Sequence, residues 1–345
     1  MGVFAYFIDL MLNYCQMVPE NDSLLPLLNN LPNVIIHCRE NNTIDKYQNS
    51  VKIWQSWCKI HSTKDFPAKP LTVALYLLYL IQSDSSFPTI EGAFYAIKFY
   101  HKFLGFEDVS EILIVRNMLE AAKRICNHKV KKKKPLKVEH LRKLYEKVVK
   151  NETNLTKLRT FNLCLLGFCG FLRYDELSNI RRYDIVFSDT FMKIFIEKSK
   201  TDIYREGAWV YISKGDTDIC PVKNLRVYLQ TAALLDDCDD CDDFIFRAVT
   251  VTKRKPIGYL RAKNKPLSYS RAREVVLEAI ESIGLEKKLF GLHSLRSGGA
   301  TAAANAGVSD RLFKRHGRWR SENAKDGYVE DDTDHLLIVT RNLGV

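Results

Sequence analysis

The sequence predicts a mainly α-helical protein with a small antiparallel β-sheet, organised as an all-α unit followed by a larger α+β unit. Three observations predict it. Apolar residues return at three- and four-residue steps from about Asp45 to Ile125; the stretch from Asp184 to Ile212 falls into β-branched and aromatic runs separated by polar turns; and a lysine run ending in proline divides the two regions. At 345 residues the chain is long enough for about two or three units with cores of their own.

Residues 1–40 form an N-terminal extension with Pro19, Pro26 and Pro32, short apolar patches and no clear period, and its role stays open. Residues 41–128 read as a helical unit. Tyr47, Val51, Trp54 and Cys58 make one stripe, and Ala93, Ile97, Tyr100 and Leu104 make another. Between them "LTVALYLLYLIQ" is apolar nearly all round, which predicts a central, buried helix. A helix from about Ser110 to Ile125 closes the bundle. Residues 129–137, "KVKKKKPLK", read as a basic linker, since four successive lysines and Pro135 forbid a packed helix interior.

Residues 138–345 form the second unit. Helices are predicted over 137–149 and 157–180, then the sheet within 184–212, then helices over 222–235, 270–283, 294–306 and 310–315. Val275, Val276, Ala279, Ile280 and Ile283 give the 270–283 helix one apolar face. The acidic "DDCDDCDD", 236–243, is placed in a loop.

Lys and Arg number 52 against 41 Asp and Glu, a net charge of +11 that favours a polyanionic partner, nucleic acid before membrane. The charge is concentrated: Arg116 to Lys150 holds 13 Lys and Arg against 3 acids. Hydrophobic residues at 46% and charged residues at 27% exclude a disordered, collagenous or disulfide-scaffold protein. Nine irregularly spaced cysteines, with no basic n-region before the apolar opening at Val3 to Leu12, read as free thiols of an intracellular, reducing compartment. The longest apolar run, Leu71 to Ile81, is shorter than the roughly 18 residues a membrane helix needs, so no membrane is expected.

Three segments carry possible chemistry. In "GFCGFLRYDELSNI" an apolar helix holds Arg173 and Glu176 three residues apart, and Gly167 and Gly170 suit close approach by another backbone or a ligand. A helix pair of the two is the plain structural alternative. In "GLHSLRSGGATAAANAG", His293 and Arg296 stand three apart on one face of a slim helix start. An imidazole beside a guanidinium suits a phosphate between them, although a surface histidine and a salt-bridged arginine remain open. In "RHGRWRSENAKDGYV", Trp319 precedes Tyr328 by nine residues in a basic stretch; with 16 tyrosines in the chain, Tyr328 alone would be a core residue by default.

In this order and spacing the chain resembles the tyrosine recombinase (phage integrase) superfamily, whose catalytic domain carries Arg, a Lys in a β-hairpin, HxxR, His or Trp, and a nucleophilic Tyr. Arg173 with its partner Glu176 matches the first position, and Lys200 in "EKSKTD" the hairpin lysine. His293 and Arg296 match HxxR, Trp319 the His-or-Trp position, and Tyr328 the nucleophile. The motifs span about 136–345, and the resemblance extends more weakly to about Asp45 as a helical core-binding domain, a DNA clamp, ahead of a basic linker. The turn "SKTDIYREG" is similar to that of eukaryotic mobile-element members. Many members have a Leu-Gly-His box where this chain reads "HGRW", so His316 receives no role.

The resemblance implies DNA strand cleavage and rejoining through a covalent 3′-phosphotyrosyl intermediate. It implies double-stranded DNA and a homotetramer on DNA as partners, and, for a eukaryotic host, the nucleus. Elementary chemistry agrees with the roles. Attack on a phosphodiester builds charge on the nonbridging oxygens, which Arg173 and Arg296 would offset. Tyr328 would form the covalent bond, Lys200 would protonate the leaving oxygen, His293 would hold the tyrosine proton and Trp319 would donate its indole N–H. Lys131, Lys132, Lys133 and Lys134 would track the phosphate backbone or serve as a nuclear-import signal.

No cofactor is expected, since no Walker or dinucleotide glycine box occurs, and no metal, since Cys238 and Cys241 lack a second pair at zinc-finger distance. Two other classes compete. A domesticated DNA-binding protein that has lost strand transfer would show decay at the motif positions, and none is seen. A type IB topoisomerase usually carries Lys where this chain has His293.

Overall fold

A computed structural model describes residues 22–35, 38–126, 132–150, 153–199, 202, 206–235, 242–331 and 333–344. The chain divides into two compact units, Met1–Lys131 and Lys132–Val345.

In the first unit a 3₁₀ turn (Asp22–Leu24) runs into helix α1 (Leu25–Ile35), in a region whose sequence shows no clear period. Pro26 stands in the first turn of α1, where its missing N–H has no intrahelical partner to lose. Helices α2 (Asn41–Ile60), α3 (Pro70–Gln82), α4 (Phe87–Phe103) and α5 (Leu113–Ile125) follow. The expected stripes are buried, with Val51, Trp54, Cys58, Ala93, Ile97 and Tyr100 in one core. Helix α3 is a correction. Only Val73, Ala74, Tyr76, Leu77 and Leu80 are buried, while Leu71, Leu75, Leu78 and Tyr79 are 38–58% exposed. A bundle this small covers one side of each helix, so an all-apolar sequence leaves the other side in solvent. His101, fully buried, accepts from the Ala68 N–H at Nε2 (2.9 Å) and faces the Ile97 carbonyl with Nδ1 (2.9 Å), which fixes it as neutral imidazole protonated at Nδ1.

In the second unit Lys132–Lys137 is extended, but it is not a free linker. The Lys134 N–H bonds the Leu289 carbonyl (2.8 Å), the Leu136 N–H bonds the Ser294 carbonyl (2.8 Å), and Pro135 and Leu136 are buried. Helix α6 (Val138–Leu144) continues into a π-helical turn, Tyr145–Val149. Helix α7 (Leu155–Cys169) is buried along nearly its whole length. The single helix expected over 157–180 is broken. After Cys169 the chain turns through Gly170 and Phe171, the latter at φ 47°, and restarts as the short helix α8 (Tyr174–Ser178).

Strands β1 (Ile185–Phe187), β2 (Phe191–Ile196) and β3 (Ala208–Ser213) form the expected antiparallel sheet in that order, with Phe187 opposite Met192 and Ile196 opposite Ala208. Met192, Ile194 and Ile196 alternate inward against Val210 and Ile212, the period-two pattern of a one-sided sheet. Helix α9 (Pro221–Thr231) leads to a hairpin that the sequence pattern does not predict, β4 (Val249–Thr252) and β5 (Lys255–Leu260). Helices α10 (Tyr269–Ser282), α11 (His293–Asn305), α12 (Asp310–Gly317), α13 (Glu322–Asp326) and α14 (Thr333–Arg341) complete the unit.

Helix α11 packs along α7. A Cβ at Gly298 would overlap the Leu136 backbone and one at Gly299 the Phe168 carbonyl, so these glycines permit a backbone approach that alanine would block. That approach brings Arg296 to the break after α7. Cys238 and Cys241 lie outside the described residues; among the described residues no group of three or more His, Cys, Asp or Glu is placed to hold a metal ion. The described cysteines Cys38, Cys58, Cys126, Cys164, Cys169 and Cys220 are free thiols, and no described helix is long and apolar enough to cross a membrane.

Candidate active site

The site gathers where α7 ends. Because the chain turns at Gly170–Phe171, Arg173 is not a residue of a continuous helix; it stands just before α8 in extended conformation. Glu176, in the first turn of α8, reaches back to it. Glu176 Oε2 accepts the Arg173 backbone N–H (2.9 Å), and Oε1 accepts Arg173 Nη1 (3.0 Å). The helix pair predicted between them therefore exists, but it is one part of a larger cluster.

Arg296, on α11, is fully buried. Its Nη1 donates to the Phe171 carbonyl and lies 3.7 Å from Glu176 Oε2, and its Nη2 donates to the Gly317 carbonyl at 2.6 Å. A third arginine, Arg318, donates from Nη2 to Glu176 Oε2 (2.8 Å) and the Phe171 carbonyl (3.1 Å), and from Nη1 to the His316 carbonyl (2.8 Å). One carboxylate thus faces three guanidinium groups. Burial pushes the Glu176 carboxyl up, but Arg318, the Arg173 N–H, Arg296 and the Arg173 guanidinium outweigh it and hold the group below the ordinary glutamate range. Burial, with Arg173 nearby, lowers Arg296 to about 10, against the opposing pull of Glu176; the guanidinium stays protonated at neutral pH.

Aromatic rings roof the cluster. Trp319, 5% exposed, packs in a small core with Phe171, Ala300 and Phe313. The Arg296 guanidinium carbon lies 4.9 Å from the Trp319 ring centroid and 4.8 Å from that of Tyr328, and the two rings are 5.6 Å apart. Tyr328 is half-buried just after α13, where Thr301 of α11 meets its carbonyl (3.5 Å) and receives the Glu330 N–H (3.1 Å). The buried Trp319 Nε1 and Arg296 Nε make no hydrogen bond among the described residues, so donors remain unspent beside the tyrosine.

The structure brings together Arg173, Glu176, Arg296, Trp319 and Tyr328. His293, at the start of α11, is exposed and so is not enclosed with Arg296, the expected sharing of one face notwithstanding. Lys200 falls in the connection between β2 and β3 and lies outside the described residues, as does Lys131. Lys132, Lys133 and Lys134 are exposed, with Lys132 Nζ 3.5 Å from the Gly327 carbonyl, next to Tyr328. His316 faces the Cys169 carbonyl with Nε2 (2.8 Å), and burial lowers its pKa, so it helps close the turn as a neutral ring.

Sequence reasoning missed two features. Arg318 is one; its only signal was a basic residue between Gly317 and Trp319. The other is a basic recess beside α7, lined by Arg159, Arg261, Lys263, Lys265 and Arg271. Arg159, 2% exposed, donates Nη1 to the Arg247 carbonyl (2.8 Å), while its Nε has no partner and no carboxylate of the described residues pairs with it. A second open recess, between the β2–β3 hairpin and α12, is faced by Arg311, Lys314, Arg315 and Arg320.

A tyrosine ring over a buried guanidinium, set among arginines that share one carboxylate and carried on a helical scaffold with a small sheet, places a nucleophile beside fixed positive charge of the kind that attack on a phosphodiester needs. No family model matches the chain. It is 29% identical over 296 residues to an integrase/recombinase XerD homolog of Selenomonas ruminantium, covering 85% of this chain and 82% of that protein. It is 23% identical over 288 residues to recombinase Cre of Escherichia phage P1, covering 81% and 80%. Its fold matches XerH site-specific recombinase in a post-cleavage complex with a palindromic difH substrate (TM-score 0.63, 17% identity, 99% of this chain and 96% of that one). It also matches the Tn1549 transposon integrase in complex with transposon right-end DNA (TM-score 0.56, 11% identity, 100% of each). In sequence the chain is similar to these tyrosine recombinases, and it shares the fold of XerH and of the Tn1549 integrase.

Proposed function

We propose that the chain cleaves and rejoins DNA strands at this cluster through a covalent 3′-phosphotyrosyl bond on Tyr328. The observation that carries the assignment is the Tyr328 ring on the Arg296 guanidinium, 4.8 Å from its centroid, where Arg296, Arg173 and Arg318 share Glu176. Three guanidinium charges against one carboxylate leave a positive excess in a largely desolvated place, which suits the charge that builds on a five-coordinate phosphorus. The Tyr328 oxygen attacks phosphorus, the bond to the 5′ oxygen breaks, and the leaving oxygen takes a proton from Lys200 while His293 receives the tyrosine proton. Rejoining reverses these steps with the 5′ hydroxyl of another strand, so the phosphodiester energy is conserved without an external energy source.

Phosphates outside the site are met by Lys131, Lys132, Lys133 and Lys134, and by the recess in which Arg159 is a buried cation without a carboxylate partner among the described residues. Four protomers act together, because strand exchange joins two duplexes with two cleavage sites each. Helix α14 supports this reading. Leu336, Leu337, Ile338 and Val339 of the helix, and Leu343 just after it, are 40–67% exposed, so this tail leaves them uncovered and offers them to a neighbouring protomer. The working compartment is intracellular and reducing, and the nucleus if the host is eukaryotic.

Suicide DNA substrates test the assignment. Tyr328→Phe binds DNA as wild type does and forms no adduct, and peptide mass spectrometry of the wild-type adduct places the phosphotyrosine at 328. An adduct on any other tyrosine rejects the reading.

A further inference from the structure

Arg318 occupies a backbone position that glycine would fill with less strain. It ends α12 at φ 54°, ψ 40°, in the left-handed region where a Cβ crowds the following carbonyl. Such positions persist in side-chain-bearing residues when the surroundings compensate. Here the compensation is visible. The guanidinium is 7% exposed and folds back under its own turn to Glu176 Oε2 and the carbonyls of Phe171 and His316. Phe171, which supplies one of those carbonyls, is itself left-handed at φ 47°. Two strained residues from different parts of the chain therefore meet directly, the Arg318 guanidinium on the Phe171 carbonyl.

We propose that Arg318 is a positioning residue for strand transfer: it holds Glu176 charged and in a single orientation, and so sets the two arginines that receive the scissile phosphate. The proposal rests on the strand-transfer reading above. Its geometry is a division of acceptors. Glu176 Oε1 is taken by Arg173 Nη1 (3.0 Å), and Oε2 by Arg318 Nη2 (2.8 Å) and the Arg173 N–H (2.9 Å). Arg296 is left at 3.7 Å from Oε2, beyond hydrogen-bond reach. Without Arg318, Oε2 would be open to Arg296, and a direct pair there would tie up the guanidinium that must meet the phosphate. Arg318 and Arg296 also share the Phe171 carbonyl, which couples the placement of one to the other. Glu176 would lose its strongest neighbouring cation, and its carboxyl would move toward the ordinary range.

Arg318→Gly tests this, because it removes the guanidinium and gives the turn the residue its backbone favours. At saturating suicide DNA the single-turnover cleavage rate falls on the order of 10²-fold, the scale of losing one oriented donor, while DNA affinity changes less than about threefold. The pH–rate profile gains an acid-side fall at higher pH than in wild type. Arg318→Lys, with one ammonium that cannot span Glu176 and both carbonyls, recovers the rate only in part. It carries the same test should the glycine variant not fold. Wild-type cleavage rates and an unmoved pH profile in either folded variant overturn the proposal. A wild-type protein that forms no Tyr328 adduct overturns the strand-transfer reading instead, so the two failures are distinct.

Discussion

Replacing Glu176 by glutamine keeps the volume of the side chain, removes its charge and turns one of its two accepting oxygens into a donor facing other donors, so no cavity contributes to the result. The carboxylate is 2% exposed, accepts three hydrogen bonds at 2.8–3.0 Å, and lies 3.7 Å from a third guanidinium. At an effective dielectric constant near 20, each charge pair about 4 Å apart contributes roughly 4 kcal/mol of attraction. Repulsion among the three arginines and the cost of desolvating them offset most of that sum. Removing one member of a buried ion pair typically costs about 3–5 kcal/mol, and we expect Glu176→Gln to destabilise the second unit by about that much at neutral pH. Urea-dependent hydrogen exchange of peptides from α7 and α11 measures the change in that unit separately from the helical bundle. The pH dependence supplies a second check. Because the folded-state pKa is depressed, the stabilisation is present above the ordinary glutamate range and lost as pH falls through the folded value, where the wild-type carboxyl also becomes neutral. The wild type and Glu176→Gln should therefore converge in acid. A difference below about 1 kcal/mol at neutral pH, or one unchanged in acid, would refute the charge argument.

Three further outcomes are expected. Replacing Lys131, Lys132, Lys133 and Lys134 by glutamine lowers the magnitude of the salt slope of DNA binding by about 0.9 for each phosphate that is no longer neutralised, equally on unrelated sequences; an unchanged slope shows that these lysines do not meet the DNA backbone. If four protomers act together as proposed, cutting the chain after Asp334, which deletes the exposed apolar residues of α14, should abolish the multi-protomer complex while sparing single-site binding, and light scattering that still shows a tetramer on DNA rejects that use of the helix. His101 is buried as neutral imidazole and its pKa is lowered, chiefly by burial, so the unfolded chain takes up the proton first. The first unit should lose stability as pH falls through the ordinary histidine range near 6.5, and a His101→Gln variant should show a flatter pH dependence by thermal melting.

The order of Arg173, His293–Arg296, Trp319 and Tyr328 is legible because each stands in a short, compositionally distinctive segment, and the β1–β3 sheet because Met192, Ile194 and Ile196 alternate with less buried neighbours. What escapes depends on three-dimensional partners. The apolar run through α7 and α8 looks like one helix; Gly170 and the left-handed Phe171 end it because Arg318 and Arg296 bond the carbonyl that the turn exposes. Helix α3 reads as central from composition alone, yet the side carrying Leu71, Leu75 and Leu78 is left exposed by the described residues. The β4–β5 hairpin is hidden by "TKRKP", whose charges mask the alternation of Val249, Thr250, Val251 and Thr252. Arg318 has no pattern to betray it, since its role depends on a carboxylate 142 residues away.

The buried Arg159 would link folding to binding if the recess beside it takes a phosphate. Among the described residues its charge is held by a carbonyl, with one nitrogen unbonded, so a polyanion reaching the recess would stabilise the fold as it binds. DNA then acts as a stabiliser of the native state in proportion to its concentration over its dissociation constant, and the melting temperature becomes a titration of binding. Salt has two opposed effects on such a protein. By competing for counterions it weakens the grip on DNA, while a multivalent anion small enough to enter the recess can take the phosphate's place and steady the free fold.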